Sequence, residues 1–237
     1  MPPGPDKYDT MTALYADPAN VEGVTYAKRW LRHEWRQTIE EQLSDNPETQ
    51  TIVMAVHGGG IEAGTSEIAL GTAGFHPATL VPIADGLGEH DFWVFEGLLR
   101  SGNGDLHVTA SNYDEPIATE LVGNARRCLS LHGCTNQQAV GKIQIGGLDY
   151  DFRDIVLDEL LTAGISAEIT SDPMLDGSIP DNIGNKTATG GCAQLEMGTS
   201  FRRSLFDVNN RQQRKNTTNA QFWVLVGALR RAMNRTV

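Results

Sequence analysis

The run Thr51-Ile-Val-Met-Ala-Val56 is the feature that most narrows what this chain can fold into. Residues Ile52 to Val56 are apolar without a break and include β-branched members. That is the pattern of a strand covered on both faces, not of one alternating between core and water. The run stops at His57, and Gly58, Gly59 and Gly60 follow. Three consecutive residues without a Cβ let the backbone turn sharply and come close to a ligand or ion. Glu62 comes next. Thr65 or Ser66 is expected to cap a helix whose first turn carries Glu67, where a carboxylate complements the positive end of the helix dipole. Strand, glycine turn and helix thus deliver a histidine and a carboxylate to the carboxyl end of a buried strand, where open α/β sheets place their ligands.

The same grammar recurs along the chain. Leu129 and Leu131 mark one face of a strand that ends in His132-Gly133. In Gly191 to Gly198, Ala193, Leu195 and Met197 point to one face and Gln194 and Glu196 to the other. Strands are also expected at Asp91 to Glu96, Leu106 to Ser111, Gly141 to Gly147 and Ile165 to Ser171, with a turn at Ser101 to Asp105. Glu115-Pro116 starts a helix running to about Asn124. Leu148 to Ala163 is an amphipathic helix closed by Gly164, and Asn219 to Arg235 forms the last one. Tyr26 to Gln42 fits both a strand alternation and a helical stripe, and Ser44-Asp-Asn-Pro47 is a turn. Residues 77 to 90 read as a loop, and the long loop over residues 172 to 190 is of a length that is usually functional. Residues 1–20 are expected to be an extended leader and residues 21–237 a single catalytic domain. The fold class is α/β, with a mixed parallel and antiparallel open sheet flanked by helices.

A formal net charge of -11 opposes nucleic-acid binding, which needs a basic face for phosphates. No apolar run approaches bilayer-spanning length, so no membrane association is expected. Met1-Pro-Pro-Gly-Pro5 has neither a basic nor an apolar segment of signal-peptide length. The expectation is a soluble monomer that reaches the outside of a cell by lysis. Cys128, Cys134 and Cys192 are too few and too odd in number for a disulfide scaffold, and no Cys-x-x-Cys pair offers a thiolate zinc site.

Residues His57-Gly-Gly-Gly-Ile-Glu62-Ala-Gly-Thr-Ser-Glu67-Ile-Ala69 match the His-Gly-Gly-Gly-Ile-Glu-x-Gly-Thr-Ser-Glu-Ile-Ala motif of the poly-γ-glutamate hydrolases, many of them phage-encoded, and the chain resembles that family. The resemblance extends to a Ser-Gly-Asn turn and an Asp-Glu-Pro helix start, and it favours a strand at the beginning of the Tyr26 to Gln42 segment. The first 50 residues match poorly. The resemblance implies a zinc peptidase related in architecture to carboxypeptidase A, a phage-type depolymerase cleaving γ-glutamyl amide bonds within the polymer, with His57 and Glu62 as metal ligands. Ser130-Leu-His132-Gly-Cys134 resembles the family's second metal motif and adds His132. A His₂Glu set with one open position is a known arrangement for hydrolytic zinc. Gln194-Leu-Glu196-Met resembles the family's Gln-Leu-Glu-Ile and makes Glu196 the candidate general base, taking a proton from zinc-activated water and passing it to the leaving amine.

A γ-glutamyl chain presents one free α-carboxylate per residue, which suits planar guanidinium donors. Arg100, Arg127 and Arg202, with the amides Asn112, Asn182 and Asn185, are the substrate-binding candidates. Asn182-Ile-Gly-Asn185 resembles the family's Asn-Ile-Cys-Asn, with Gly184 in place of its cysteine. Two other chemistries compete. A zinc amidase acting on peptidoglycan would use the same metal set. A serine esterase would use the His57-Gly-Gly-Gly60 segment as an oxyanion hole, but Ser66, Ser166 and Ser200 each lack the second glycine of a nucleophile elbow.

Overall fold

The structure, a computed structural model, describes residues 6–32 and 51–235. Its seven strands are β1 (Tyr26–Leu31), β2 (Thr51–Gly59), β3 (Asp91–Gly97), β4 (Arg127–Cys134), β5 (Ile143–Gly146), β6 (Ala167–Ile169) and β7 (Ala193–Gly198). They form one open sheet in the order β1-β3-β2-β4-β7-β5-β6. β3, β2, β4 and β7 are mutually parallel, so their carboxyl ends lie along one edge. β1 closes one side antiparallel to β3, and β5 joins β7 antiparallel while carrying β6 in parallel. The helices are α1 (Met11–Ala16), α2 (Thr65–Thr72), α3 (Pro116–Asn124), α4 (Asn136–Ala139), α5 (Tyr150–Thr162), α6 (Thr199–Ser204) and α7 (Ala220–Asn234).

The pleat sorts the strand residues between two cores. Val53, Ala55, Leu129, Leu131 and Leu195 face one way, onto Ile68 of α2, Phe152 of α5 and Phe222 of α7. Ile52, Met54, Val56, Trp93, Phe95 and Cys128 face the other, onto Met11 and Leu14 of α1 and Leu121 of α3. This explains the unbroken apolar run in β2, since both of its faces are covered. The same alternation puts Ser130, His132, Gln194 and Glu196 on the second face, where His132 and Glu196 stand side by side in register. All three cysteines are free and buried. Among the described residues, no helix is long and apolar enough to cross a membrane.

Three expectations are corrected. Residues 6–20 are not simply an extended leader, because α1 forms within them and its Met11 and Leu14 are fully buried. Each such side chain contributes about 1.5–3 kcal/mol of burial, enough to dock a helix too short to persist alone. Leu106 to Ser111 is not a strand: two 3₁₀ turns, Asn103–Leu106 and Ala110–Asn112, frame it, and the alternation instead buries Leu106, Val108 and Ala110 against the second core. Finally, α2 has no side-chain cap. Gly64, at φ 104°, starts it, while the Ser66 hydroxyl accepts from Gly59 N–H at 2.8 Å. The beginning of the Tyr26 to Gln42 segment is strand β1, and the Ser44 to Pro47 turn lies outside the described residues.

Candidate metal and catalytic centre

The carboxyl ends of β2, β4 and β7 hold the residues singled out at His57, Glu62, His132 and Glu196. The register of β2 against β3 shifts between Ala55 and Gly58. Such a bulge re-aims the residue within it, and it turns His57, next in the chain to Val56, toward the face that carries His132. The two rings sit edge to face with centroids 5.1 Å apart. Gly59, at φ 67°, lies so close to β3 that an added Cβ would fall 2.5 Å from the Gly97 carbonyl oxygen. Thus at least one glycine of the triple is required by the backbone.

His57 Nε2 donates to the Val108 carbonyl at 2.8 Å, while its Nδ1 lies 3.0 Å from Glu62 Oε1. Glu62 Oε2 accepts from Gly133 N–H at 2.8 Å and lies 3.8 Å from His132 Nδ1. His132 Nε2 is 3.0 Å from the Ser130 hydroxyl. Because the Val108 carbonyl fixes the proton on Nε2, the neutral His57 ring turns a lone pair toward a carboxylate oxygen. Two acceptors at that distance need a cation between them, either a proton or a metal ion. A donor set of two imidazole nitrogens and a carboxylate suits zinc, and the carbonyl behind His57 is the usual orienting partner of such a ligand.

The electrostatics agree. Burial alone would raise the Glu62 carboxyl, but His57, His132 and His107 hold it down at about 2. Burial alone would lower His57, and Glu62 overrides it to keep the imidazole above its ordinary value. Burial pushes His132 down to about 4, with Glu62 opposing. Burial first, and Glu62 second, raise the Glu196 carboxyl well above the carboxylate range, against the pull of Arg202 and of the Gln194 amide. Gln194 donates to Glu196 Oε1 at 3.2 Å and accepts from Asn182 Nδ2 at 2.8 Å, a chain that fixes the carboxyl's orientation.

The substrate-binding candidates separate. Arg100, in the loop leaving the carboxyl end of β3, and Asn112, on the second 3₁₀ turn, are exposed. Asn182 reaches the site only through Gln194. Arg202 is buried, donating to the Met197 and Ala63 carbonyls at 3.0 and 2.7 Å, and a Cβ on Gly133 would meet its guanidinium carbon at 2.3 Å. Its charge therefore lies beneath the centre. Two candidates do not fit. Arg127 begins β4, about 16 Å of strand from His132, and donates to the Arg235 carbonyl at 2.6 Å. Asn185 spends its amide on the Gly177 and Ile179 carbonyls and its oxygen on Leu148 and Cys192 N–H, which makes it a loop brace.

Sequence reading missed His107, whose ring stacks on His57 at 3.9 Å and whose ligand atom lies within 4.8 Å of those of His57 and Glu62. It stood inside what looked like a strand alternation, with no glycine beside it to mark a strand end. Arg214 was missed too. It donates to the Gly59 carbonyl at 2.6 Å and to buried Glu67 at 3.2 Å, bracing the glycine turn from 155 residues away.

The sequence model of the family described as poly-γ-glutamate hydrolase matches residues 31–228. YndL of Bacillus subtilis (strain 168) is 36% identical over 173 residues, 73% of this chain, and the chain spans 62% of YndL's length. A solved bacteriophage poly-γ-glutamate hydrolase is similar with a TM-score of 0.78 at 29% identity, 96% of each chain being covered. The zinc-free apo form of YndL gives a TM-score of 0.76 at 30% identity, covering 96% of this chain and 97% of that one.

Proposed function

The chain belongs to the poly-γ-glutamate hydrolase family, and we propose that it is a zinc-dependent hydrolase of γ-glutamyl amide bonds, acting as a monomer with Glu196 as general base. The observation that carries this reading is the convergence of His57 Nδ1 and His132 Nδ1 on the two oxygens of Glu62, at 3.0 and 3.8 Å, with Glu196 in register beside His132. His57, Glu62 and His132 would hold the ion. Bound there, zinc supplies a Lewis acid for the scissile carbonyl and acidifies a water. The chain's own residues do the rest. Glu196 takes the proton of the attacking water and returns it to the departing amine. The Asn182–Gln194 chain keeps its carboxyl aimed during both transfers, and Arg202 offsets from below the negative charge of Glu62 and pulls Glu196 toward its ionised, proton-accepting form. The zinc-free form known for YndL is in keeping with a metal that binds at such a centre.

The test is direct. Protein supplied with zinc is expected to shorten poly-γ-glutamate, read by size-exclusion chromatography, and a chelator is expected to stop it. Unchanged polymer in the presence of zinc sinks the substrate, and digestion of cell walls in its place would move the reading to peptidoglycan.

A further inference from the structure

Asp6 reaches across 101 residues of sequence to the loop beside the centre. One carboxylate oxygen takes the His107 Nδ1 contact at 2.6 Å; the other accepts from Thr109 N–H at 2.6 Å and from the Thr109 hydroxyl at 2.7 Å. Its anchorage is separate from the site, since Tyr8 donates to Asp17 at 2.6 Å and α1 docks its Met11 and Leu14 in the core. An imidazole nitrogen 2.6 Å from a carboxylate carries the proton. The free nitrogen of His107 is then Nε2, on a ring held by a carboxylate as catalytic and ligating histidines are held.

Distance alone would make His107 a metal ligand, but its ring geometry does not. Its plane lies only 29° from that of His57, with centroids 3.9 Å apart. The two rings lie face against face rather than converging their nitrogen edges on one ion about 2.0–2.1 Å from each. The His132 ring, at 69° to His57, has no such obstacle. Exposure separates them further: the His107 side chain is 28% exposed, against 3% for His57 and 5% for His132. His107 is the outer layer of the centre.

Resting on the function proposed above, we propose that His107, oriented by Asp6, contacts the substrate, taking a hydrogen bond at Nε2 from an amide N–H of the polymer backbone next to the scissile bond. Asp6 is a positioning residue for that contact, so the first described residues complete the substrate site.

The experiment compares His107→Ala, His107→Gln and Asp6→Ala with the parent protein. It reads zinc content by elemental analysis, KM and kcat on poly-γ-glutamate, and polymer affinity by calorimetry in the zinc-loaded Glu196→Gln background, where turnover is suppressed. Zinc should stay near that of the parent in all three. His107→Ala should raise KM and weaken polymer affinity roughly tenfold, the scale of one lost hydrogen bond in a binding site, with a smaller change in kcat. His107→Gln, which retains an acceptor, should recover part of the affinity, and Asp6→Ala should move the same readouts by less. Loss of zinc from a folded His107→Ala protein would make His107 a ligand and overturn the proposal, as would unchanged KM and affinity. A parent protein that neither binds nor shortens the polymer overturns the substrate reading itself, a failure seen before any variant is compared.

Discussion

Two charged clusters in this molecule, each built around a buried ionic side chain, follow opposite rules. Arg230, 1% exposed, donates twice to Asp85 at 2.7 Å and again to the Gly88 and Thr72 carbonyls at 2.8 and 3.2 Å. Donor meets acceptor at each contact, and these hydrogen bonds hold the Asp85 carboxyl below its ordinary value. At the carboxyl ends of β2, β4 and β7 the arithmetic is reversed. There His57 Nδ1 and a Glu62 oxygen meet at 3.0 Å and need a proton or a metal ion between them, and Glu196 lies close enough for the Glu62 charge to raise its carboxyl. A cluster that only holds the fold together is matched internally. One with a surplus of lone pairs is matched by what binds to it.

The comparison breaks first, and most visibly, at Glu196. Glu196→Gln keeps the side chain's shape but cannot accept the water's proton, so turnover should fall roughly 10²–10⁴-fold while zinc stays at about one per chain. Initial rate and elemental zinc measured on the same preparation decide it: a protein that lost its zinc would put Glu196 among the ligands. Glu62→Gln should differ by losing metal as well as rate, because it removes the anion on which both imidazoles converge.

Next in size is the matched cluster. Arg230→Ala should cost about 3 kcal/mol in denaturant unfolding, since it removes a fully buried side chain and leaves the Thr72 and Gly88 carbonyls without their donor. Metal affinity should be untouched, and a change in it would mean that the two clusters are coupled. A smaller effect follows from pH. Because Asp85 is lowered in the folded state, its contribution is complete above the ordinary value of 3.8 and is lost as pH falls from there through the folded value. Asp85→Asn should flatten the acid limb of the stability curve in that window alone. Smallest of all is Arg127→Ala, at an end of β4 remote from the centre, which should leave kcat/KM on the polymer unchanged.

Much of the fold was legible because burial leaves a period in the sequence. The run Ile52 to Val56, the alternation of Ala193, Leu195 and Met197, and helices α5 and α7 each stood close to where the structure has them, although Leu161, expected on the apolar stripe of α5, is exposed. The positions of His57, His132 and Glu196 could be read because each follows an apolar strand or alternates with one, while the roles proposed for them come from the family resemblance. His107 and Asp6 could not, since their meeting is set by how two irregular segments cross and neither segment carries a period. Leu106 to Ala110 shows the limit from the other side. Alternate residues of a loop lying on a core are buried just as those of a strand are, and only pairing tells them apart. Arg127 misled for a plainer reason, as a strand's two ends look alike until its direction in the sheet is known.

The placing of β7 has a consequence for how the molecule comes into being. It is the last strand in the described chain, yet it lies between β4 and β5, both made well before it. While the chain is being synthesised, β4 therefore exposes an open edge, and β5 with β6 has nothing to join. The segment that closes the gap also carries Glu196. Sheet closure and the arrival of the Glu196 carboxylate are thus one event, late and dependent on pairing between distant segments, which is the slow kind. On the function proposed above, a nascent chain that already has His57, Glu62 and His132 would be inert toward amide bonds until β7 is in place, and its unpaired β4 edge is where misassembly would begin.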